Sequence, residues 1–287
     1  MATEKILVTG ATGKIGRELV PRLLEAGVEV KAGTRNPETG RSLFPPEVEV
    51  VELNYNRTET YDDALMWAER VFLMPPPFSP DAYNTISPFL DWAVSTRVEH
   101  VVLLSGMAVP EIEELALRRL ERHLEAQDTR HTILRPNLYM QNFYSGFIAR
   151  QIGEEGLIRL PAGDGRASLV DVRDVAAVAA RALTSTDLFG RELTLTGPEA
   201  LTITEAAQMV SKVAGREIRY EPIDDAEFEA VLADSGWNDS EVEIILGLFS
   251  SIREGGRAPV VADIETVLGR APRSFEDFAA ENPSAWH

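Results

Sequence analysis

Lys5-Ile-Leu-Val-Thr9 runs directly into Gly10-Ala-Thr-Gly13-Lys-Ile-Gly16, and an amphipathic segment follows as far as Gly27. This order predicts a strand, a tight turn and a helix that packs back against the strand. Gly10 permits the turn, Gly13 lets a ligand approach the backbone, and Gly16 lets the helix lie close to the strand. Because the amides at such a helix start attract a pyrophosphate, the stretch predicts a dinucleotide site. A glycine-rich turn that binds nothing is the alternative.

The end of the second strand-like run, Val28–Thr34, indicates which dinucleotide is bound. An NAD enzyme usually has Asp or Glu at this point. This chain instead continues with Arg35 and Asn36. A guanidinium group can hold a 2′-phosphate through paired charge-assisted hydrogen bonds, so the expected cofactor is NADP(H). Lys14 adds positive charge near the same phosphate, whereas an exposed Arg35 with no ligand is the alternative.

Composition excludes several classes of function. The chain has 287 residues, 28 Lys and Arg against 46 Asp and Glu, and a net charge of −18, which argues against nucleic acid or anionic membrane as a partner. The absence of cysteine excludes disulfides, thiolate catalysis and Cys-based metal sites. His123 and His131 are isolated, so no metal site is expected. Without a signal-like or membrane-length apolar run, we expect a cytoplasmic protein, with a homodimer or a protein partner left open.

Strand-like and helix-like segments alternate along the first half of the chain. Further strand-like runs are Val48–Leu53, Val71–Met74, His100–Ser105, Thr132–Arg135 and Glu192–Thr196. The predicted fold class is α/β, with a Rossmann-type parallel sheet, helices on both faces and a smaller, mostly helical C-terminal lobe. We assign residues 1–150 to an NADP(H)-binding domain and 151–287 to a substrate lobe, with residues of about 165–200 returning to the sheet.

Ligands of open parallel sheets bind beyond the carboxyl ends of the strands, and this rule selects the cofactor residues. Asn54 and Tyr55 are expected near the adenine, Pro75 and Pro76 near the ribose and phosphates, and Ser105 near the nicotinamide. For the prolines, a stiff loop is an equally good interpretation. The expected cofactor residues in the turn and after the strands are Gly10, Thr12, Gly13, Lys14, Ile15, Gly16, Arg35, Asn54, Tyr55, Pro75, Pro76 and Ser105.

Four stretches resemble the NmrA-like atypical short-chain dehydrogenase/reductases, in particular their bacterial NADPH quinone reductases and triphenylmethane reductases. They are Val8–Gly16, Thr34–Asn36, Ile133–Asn142 and Gly163–Ala176, and Tyr220–Phe228 extends the likeness towards the C-terminus. The resemblance implies NADP(H) on the N-terminal sheet and a planar substrate between the nicotinamide and the C-terminal lobe. It also implies that the residues lining the substrate pocket are Asn137, Tyr139, Asn142 and Phe143. From the residues alone, Phe143 and Phe147 lie four positions apart, and this spacing favours a stripe of core residues over substrate contacts.

The proton relay of typical short-chain reductases is missing. Those enzymes use a Tyr and a Lys four residues apart, whereas this chain has no Tyr-x-x-x-Lys, and its lysines are Lys5, Lys14, Lys31 and Lys212. By the resemblance, Arg122 stands where relatives carry Lys, and it is therefore an expected cofactor residue. Pro136 is the remaining expected cofactor residue. Catalytic residues are unknown from the sequence, with Tyr139 and Arg122 as candidates.

Two hypotheses follow from the missing relay. Hydride addition to an isolated ketone needs a nearby acid, whereas a quinone, azo or dye-like acceptor gives a delocalised or neutral product that can take its proton from water. The first hypothesis is therefore an NADPH-dependent reductase of a planar conjugated molecule. The second is a non-enzymatic NADP(H) sensor that binds a partner protein, which should expose an apolar patch on the helices near Phe228 to Phe249.

Overall fold

The computed structural model describes residues 4–96, 98–234 and 236–286. The strands are β1 (Lys5–Thr9), β2 (Glu29–Thr34), β3 (Glu49–Glu52), β4 (Arg70–Leu73), β5 (His100–Leu104), β6 (Arg130–Pro136), β7 (Leu157–Leu160), β8 (Arg166–Ala167), β9 (Arg191–Leu195), β10 (Leu201–Thr202) and β11 (Arg219–Pro222). The helices are α1 (Lys14–Glu25), α2 (Pro37–Leu43), α3 (Tyr61–Leu65), α4 (Ala82–Ser95), α5 (Ala116–Glu125), α6 (Phe147–Glu155), α7 (Val172–Thr184), α8 (Ile203–Ala214), α9 (Asp225–Asp234), α10 (Asp239–Arg253), α11 (Asp263–Leu268) and α12 (Phe275–Glu281). None of these described helices is long and apolar enough to cross a membrane.

The chain divides into two compact units. Unit 1 comprises Met1–Arg135 and Val172–Thr194, and unit 2 comprises Pro136–Asp171 and Leu195–His287. The sequence predicts a boundary near residue 150, whereas the structure divides the chain at the end of β6. The segment that returns to unit 1 contains α7 and most of β9, and α7 belongs there because it packs against α1, β4 and β5.

The main sheet has seven strands in the described chain, in the order β3-β2-β1-β4-β5-β6-β9. The neighbouring strands from β3 to β6 are parallel, with Ile6 beside Val30 of β2 on one side and Arg70 of β4 on the other. From β1 the chain adds β2 and β3 on one side of the sheet and then crosses to add β4, β5 and β6 on the other side. The turn after β1 therefore lies at the switch point where such sheets bind ligands. The predicted α/β fold class is confirmed.

Continuous apolar sequence explains why β1 is central. Ile6, Leu7 and Val8 have no exposed surface, as expected for a parallel strand covered on both faces. Leu7 belongs to one buried cluster that contains Phe89 of α4 and Leu120 of α5. Because successive side chains of a strand point to opposite faces, Ile6 and Val8 face the other helical layer.

Unit 2 has its own core and contains more β-structure than the sequence predicts. An aromatic cluster holds the core, with Phe143 against Phe275 at 4.8 Å and Phe228 against Phe249 at 5.1 Å between ring centroids. In the described part of unit 2, β7 pairs with β11 in parallel and β8 with β10 in antiparallel. Strands of two to four residues are too short to show the alternation on which a sequence prediction depends.

Candidate functional site

The turn between β1 and α1 requires glycine at two positions. Gly10 has φ +59°, in the left-handed region where glycine carries no steric cost. The Gly13 amide donates to the Gly10 carbonyl at 2.9 Å and closes the turn. A Cβ on Gly16 would lie 2.4 Å from the Ala11 carbonyl oxygen, so only glycine lets the start of α1 lie this close to the turn.

The start of α1 is suited to an anion. Gly13 is its N-cap, and no side chain of the described residues caps it. The first amides of a helix have no intrahelical acceptor, so an uncapped start attracts negative charge. Ile15 and Gly16 are buried, Thr12 is half-buried, and Lys14 is exposed on the first turn. Desolvation around the Lys14 ammonium group lowers its pKa.

The end of β2 lies beside this turn. The Ala11 amide donates to the Gly33 carbonyl at 3.2 Å, and the hydroxyl groups of Thr12 and Thr34 are 3.2 Å apart. Arg35 follows directly, is exposed, and has no ion pair or side-chain hydrogen bond among the described residues. The Asn36 side chain accepts from the amides of Glu38 and Thr39 and begins α2, so Arg35 sits in a well-defined turn.

The segments after β3 and β4 meet the same turn. The Thr9 hydroxyl group donates to the Phe72 carbonyl and accepts from the Met74 amide, each at 2.9 Å. The Tyr55 hydroxyl group donates to the Met74 carbonyl at 3.2 Å, and a Cβ on Gly10 would lie 2.1 Å from Met74 Cε. Burial raises the pKa of Tyr55. The structure thus brings the ends of β1, β3 and β4 together.

The remaining candidates after these strands are more exposed. Asn54 is half-buried and accepts from the Asn56 amide at 3.0 Å, which orders the loop after β3. Pro75 is half-buried and Pro76 is exposed in the loop after β4. Phe78, in the same loop, has φ +52°, a conformation that side-chain-bearing residues rarely adopt. The prolines restrict the backbone of this loop, and the positive φ of Phe78 is a strained backbone conformation.

Ser105 directly follows β5 and donates its hydroxyl proton to a buried carboxylate. The acceptor is Oε1 of Glu121, a residue with no exposed surface on α5. Arg135 donates to the same carboxylate at 2.9 and 2.8 Å, and Arg118 donates at 2.5 Å. Burial alone raises the pKa of Glu121, but hydrogen bonds from Arg135, Ser105 and Arg118 outweigh it and hold the pKa below its usual range. The carboxylate therefore stays ionised and fixes the Ser105 rotamer.

Sequence reasoning missed Glu121. The signal was present, because Glu121 lies on the same stripe of α5 as Leu117 and Leu124, at spacings of four and three residues. An acid on an apolar stripe indicates a buried ion pair. The partner could not be read from the sequence, since Arg135 lies on another element.

Arg122 occupies a different environment from Arg118. Its side chain is 54% exposed and pairs with Glu113 at 2.9 Å and with Glu125 at 3.0 Å. Hydrogen bonds to Glu113 and then Glu125 raise the pKa of Arg122, so the group carries its proton at every physiological pH. Arg122 can hold an anion only in competition with two carboxylates.

The substrate candidates all belong to unit 2. Asn137 is buried, and its Nδ2 donates to Ser168 Oγ and to the Arg257 carbonyl, each at 2.8 Å. Its Oδ1 is buried without a hydrogen-bond partner among the described residues. Tyr139 is half-buried, and burial raises its pKa, so it stays protonated through neutral pH. 

The other two substrate candidates differ in burial. Asn142 is half-buried at the end of a short 3-10 turn, Met140–Asn142. Phe143 is 2% exposed and packs edge-on against Phe275, which is the core role that its spacing favours. Pro136, the last residue of β6 and the first of unit 2, is also buried.

Comparisons with known proteins cover nearly the whole chain. A family model described as the NmrA-like family matches residues 2–275. The (4-alkanoyl-5-oxo-2,5-dihydrofuran-3-yl)methyl phosphate reductase of Streptomyces griseus is 36% identical, over 98% of this chain and 99% of that protein. The agroclavine dehydrogenase of Claviceps fusiformis is 31% identical, over 98% of each chain. The NADPH-dependent quinone oxidoreductase of Escherichia coli, solved with NADPH, has a TM-score of 0.85 at 22% identity and covers 96% of this chain and 99% of that one.

Proposed function

Because the chain belongs to the NmrA-like family, we propose that it is an NADPH-dependent reductase that transfers hydride to a planar, conjugated small molecule such as a quinone, an azo compound or a dye. The observation that carries this proposal is the turn after β1, which requires glycine at Gly10 and Gly16 and adjoins Arg35, whose guanidinium group has no ion pair among the described residues. The reductase and dehydrogenase relatives support the same class of reaction.

The residues of unit 1 fit NADP(H). The uncapped start of α1 suits the pyrophosphate, since its amides and the helix dipole favour an anion. The charge of Arg35, which no acid of the described residues pairs with, suits the 2′-phosphate that distinguishes NADPH from NADH. Asn54, Tyr55, Pro75 and Pro76 follow the neighbouring strands and would border the adenosine, and Ser105 would border the nicotinamide.

The choice of a conjugated acceptor rests on the chemistry that is missing. When bound, NADPH supplies a hydride. Arg122 stays protonated and ion-paired, so it is a poor proton relay. Burial raises the pKa of Tyr139, which makes its hydroxyl group a weaker acid. An acceptor whose reduced form is stabilised by delocalisation needs no side-chain acid, and catalysis then depends on orientation. The substrate would be contacted by Asn137, Tyr139 and Asn142, and the buried Oδ1 of Asn137 supports a hydrogen-bond donor on that substrate.

The surface of unit 2 favours the reductase over the sensor. A partner-binding face on α9 and α10 should expose large apolar side chains, yet Phe228 is fully buried and Phe249 is 4% exposed. Among the described residues, the exposed large hydrophobic side chains are Leu43, Met66, Phe78, Trp92, Ile112 and Val260, and none lies between Phe228 and Phe249.

Turnover with a panel of acceptors tests the proposal. Purified full-length protein is mixed with NADPH and a quinone, an azo dye, a triphenylmethane dye or an isolated ketone, and the nicotinamide absorbance is followed. We expect oxidation with at least one conjugated acceptor and none with the ketone. Tight binding of NADPH and NADP⁺ with equal affinity, and no turnover with any acceptor, would instead support the sensor.

A further inference from the structure

The guanidinium group of Arg17 is held by a hydrogen bond to the backbone but has no acidic partner among the described residues. It lies on the first turn of α1, is exposed, and donates from Nε to the Thr12 carbonyl at 2.7 Å. The Nη groups have no ion pair or hydrogen bond among the described residues. The neighbouring acid on the helix, Glu18, pairs with Arg22 at 2.7 Å. Arg17 is therefore held by one nitrogen beside the glycine turn, with its remaining donors open.

Thr12 links Arg17 to the end of β2. The carbonyl oxygen of Thr12 accepts a hydrogen bond from Arg17, and the hydroxyl groups of Thr12 and Thr34 are 3.2 Å apart. Thr34 also accepts from the Asn36 amide at 3.3 Å, which fixes the turn containing Arg35. Thr12 and Thr34 thus connect the residue that anchors Arg17 with the turn that carries Arg35, although the two arginines come from different elements.

Neither Arg17 nor Arg35 has an ion pair among the described residues. With a net charge of −18, acidic partners are abundant, and Arg57 for example pairs with both Glu52 and Glu59. Like charges that share a site repel each other and lower the stability of the empty protein unless an anion joins them. A doubly charged phosphate ester satisfies both guanidinium groups through charge-assisted hydrogen bonds.

We infer that Arg17 is a second cation for the 2′-phosphate and therefore sets the preference for NADPH over NADH together with Arg35. The inference rests on the proposed function, because it assigns one more residue to the cofactor of that reaction. Anchoring to the Thr12 carbonyl reduces the freedom that the side chain must lose on binding, so its contribution requires arginine and not only positive charge.

Calorimetry with oxidised cofactors tests Arg17 without turnover. NADP⁺ and NAD⁺ are titrated separately into the full-length protein and into Arg17→Ala, Arg17→Lys and Arg150→Ala. Arg150 is the matched control, since it is exposed on α6 and has no ion pair among the described residues. For Arg17→Ala we expect the Kd for NADP⁺ to rise about tenfold, as for loss of one charge-assisted contact, with the Kd for NAD⁺ unchanged. The Kd of Arg17→Lys for NADP⁺ should lie between those of Arg17→Ala and the unsubstituted protein. The Kd of Arg150→Ala should equal that of the unsubstituted protein.

The possible outcomes separate this inference from the proposed function. If the unsubstituted protein binds neither cofactor, the proposed function fails. If it binds NADP⁺ and Arg17→Ala binds it equally well, only the role of Arg17 fails. Equal weakening of NADP⁺ and NAD⁺ would show that Arg17 acts through the shape of the turn at Thr12, and would overturn its assignment to the 2′-phosphate. A smaller salt dependence of NADP⁺ binding in Arg17→Ala would support the inference.

Discussion

Replacing Gly16 with alanine tests how closely α1 must pack against Ala11 in the turn after β1. A Cβ at this position would lie 2.4 Å from the carbonyl oxygen, 2.5 Å from Cα and 2.6 Å from the carbonyl carbon of Ala11. All three are backbone atoms, so the contact cannot be relieved by a rotamer change. Either α1 moves away from the strand or the glycine turn is distorted.

The expected change in the free energy of unfolding of Gly16→Ala is the difference between two opposing effects. Overpacking a close contact costs about 1–3 kcal/mol, and a backbone contact belongs at the upper end. Alanine favours a helix over glycine by about 1 kcal/mol. We therefore expect Gly16→Ala to lower the free energy of unfolding by about 2 kcal/mol. Gly247→Ala is the control, because Gly247 lies within α10 with no atom within 4 Å of its added Cβ.

Urea unfolding followed by circular dichroism measures both variants, and nicotinamide fluorescence measures NADPH binding. Gly16→Ala should unfold at lower urea and bind NADPH more weakly, because the amides at the start of α1 are displaced. Gly247→Ala should be at least as stable as the unsubstituted protein and bind equally well. If Gly16→Ala behaves like Gly247→Ala in both assays, the close approach of α1 is not required, and the reasoning from the glycine turn is refuted.

The buried ion network and the exposed Arg122 give further predictions. Glu121→Gln leaves the guanidinium groups of Arg118 and Arg135 without their buried counter-charge and should lower the free energy of unfolding by about 3–5 kcal/mol, measured as a shift in the urea midpoint. Because the folded state holds the pKa of Glu121 below the ordinary value of 4.5, its stabilisation is complete above that pH and is lost as the pH falls further. An acid titration followed by circular dichroism should therefore show a steep loss of structure in the unsubstituted protein, and an unchanged curve in Glu121→Gln would count against this. Arg122→Ala should leave both the unfolding midpoint and kcat unchanged, since the side chain is exposed and already paired; a large fall in kcat would restore it as a catalytic candidate.

Local sequence predicted much of unit 1. The strand, turn and helix from Lys5 to Glu25 follow from neighbouring residues alone, since an apolar run, spaced glycines and an amphipathic segment each act over short distances. The parallel sheet also follows from the alternation of strands with helices, whereas the order of the strands is known from the structure. The site residues in the turn could be proposed for the same reason.

Contacts between distant residues could not be predicted. Asn137 donates to the Arg257 carbonyl, 120 residues away, and Arg135 pairs with Glu192, 57 residues away. No periodicity connects such positions, so the sequence could not distinguish a buried partner from an exposed charge. The boundary after Arg135 was missed for the same reason, because it depends on α7 packing back onto α1.

The central claim is that the cation after β2 binds the phosphate that distinguishes NADPH from NADH. Calorimetric titration of NADPH and NADH into the unsubstituted protein and Arg35→Glu tests it most directly. We expect charge reversal to raise the Kd for NADPH by at least about tenfold and to leave the Kd for NADH nearly unchanged. An unchanged Kd for NADPH in Arg35→Glu, with clear binding by the unsubstituted protein, would contradict it.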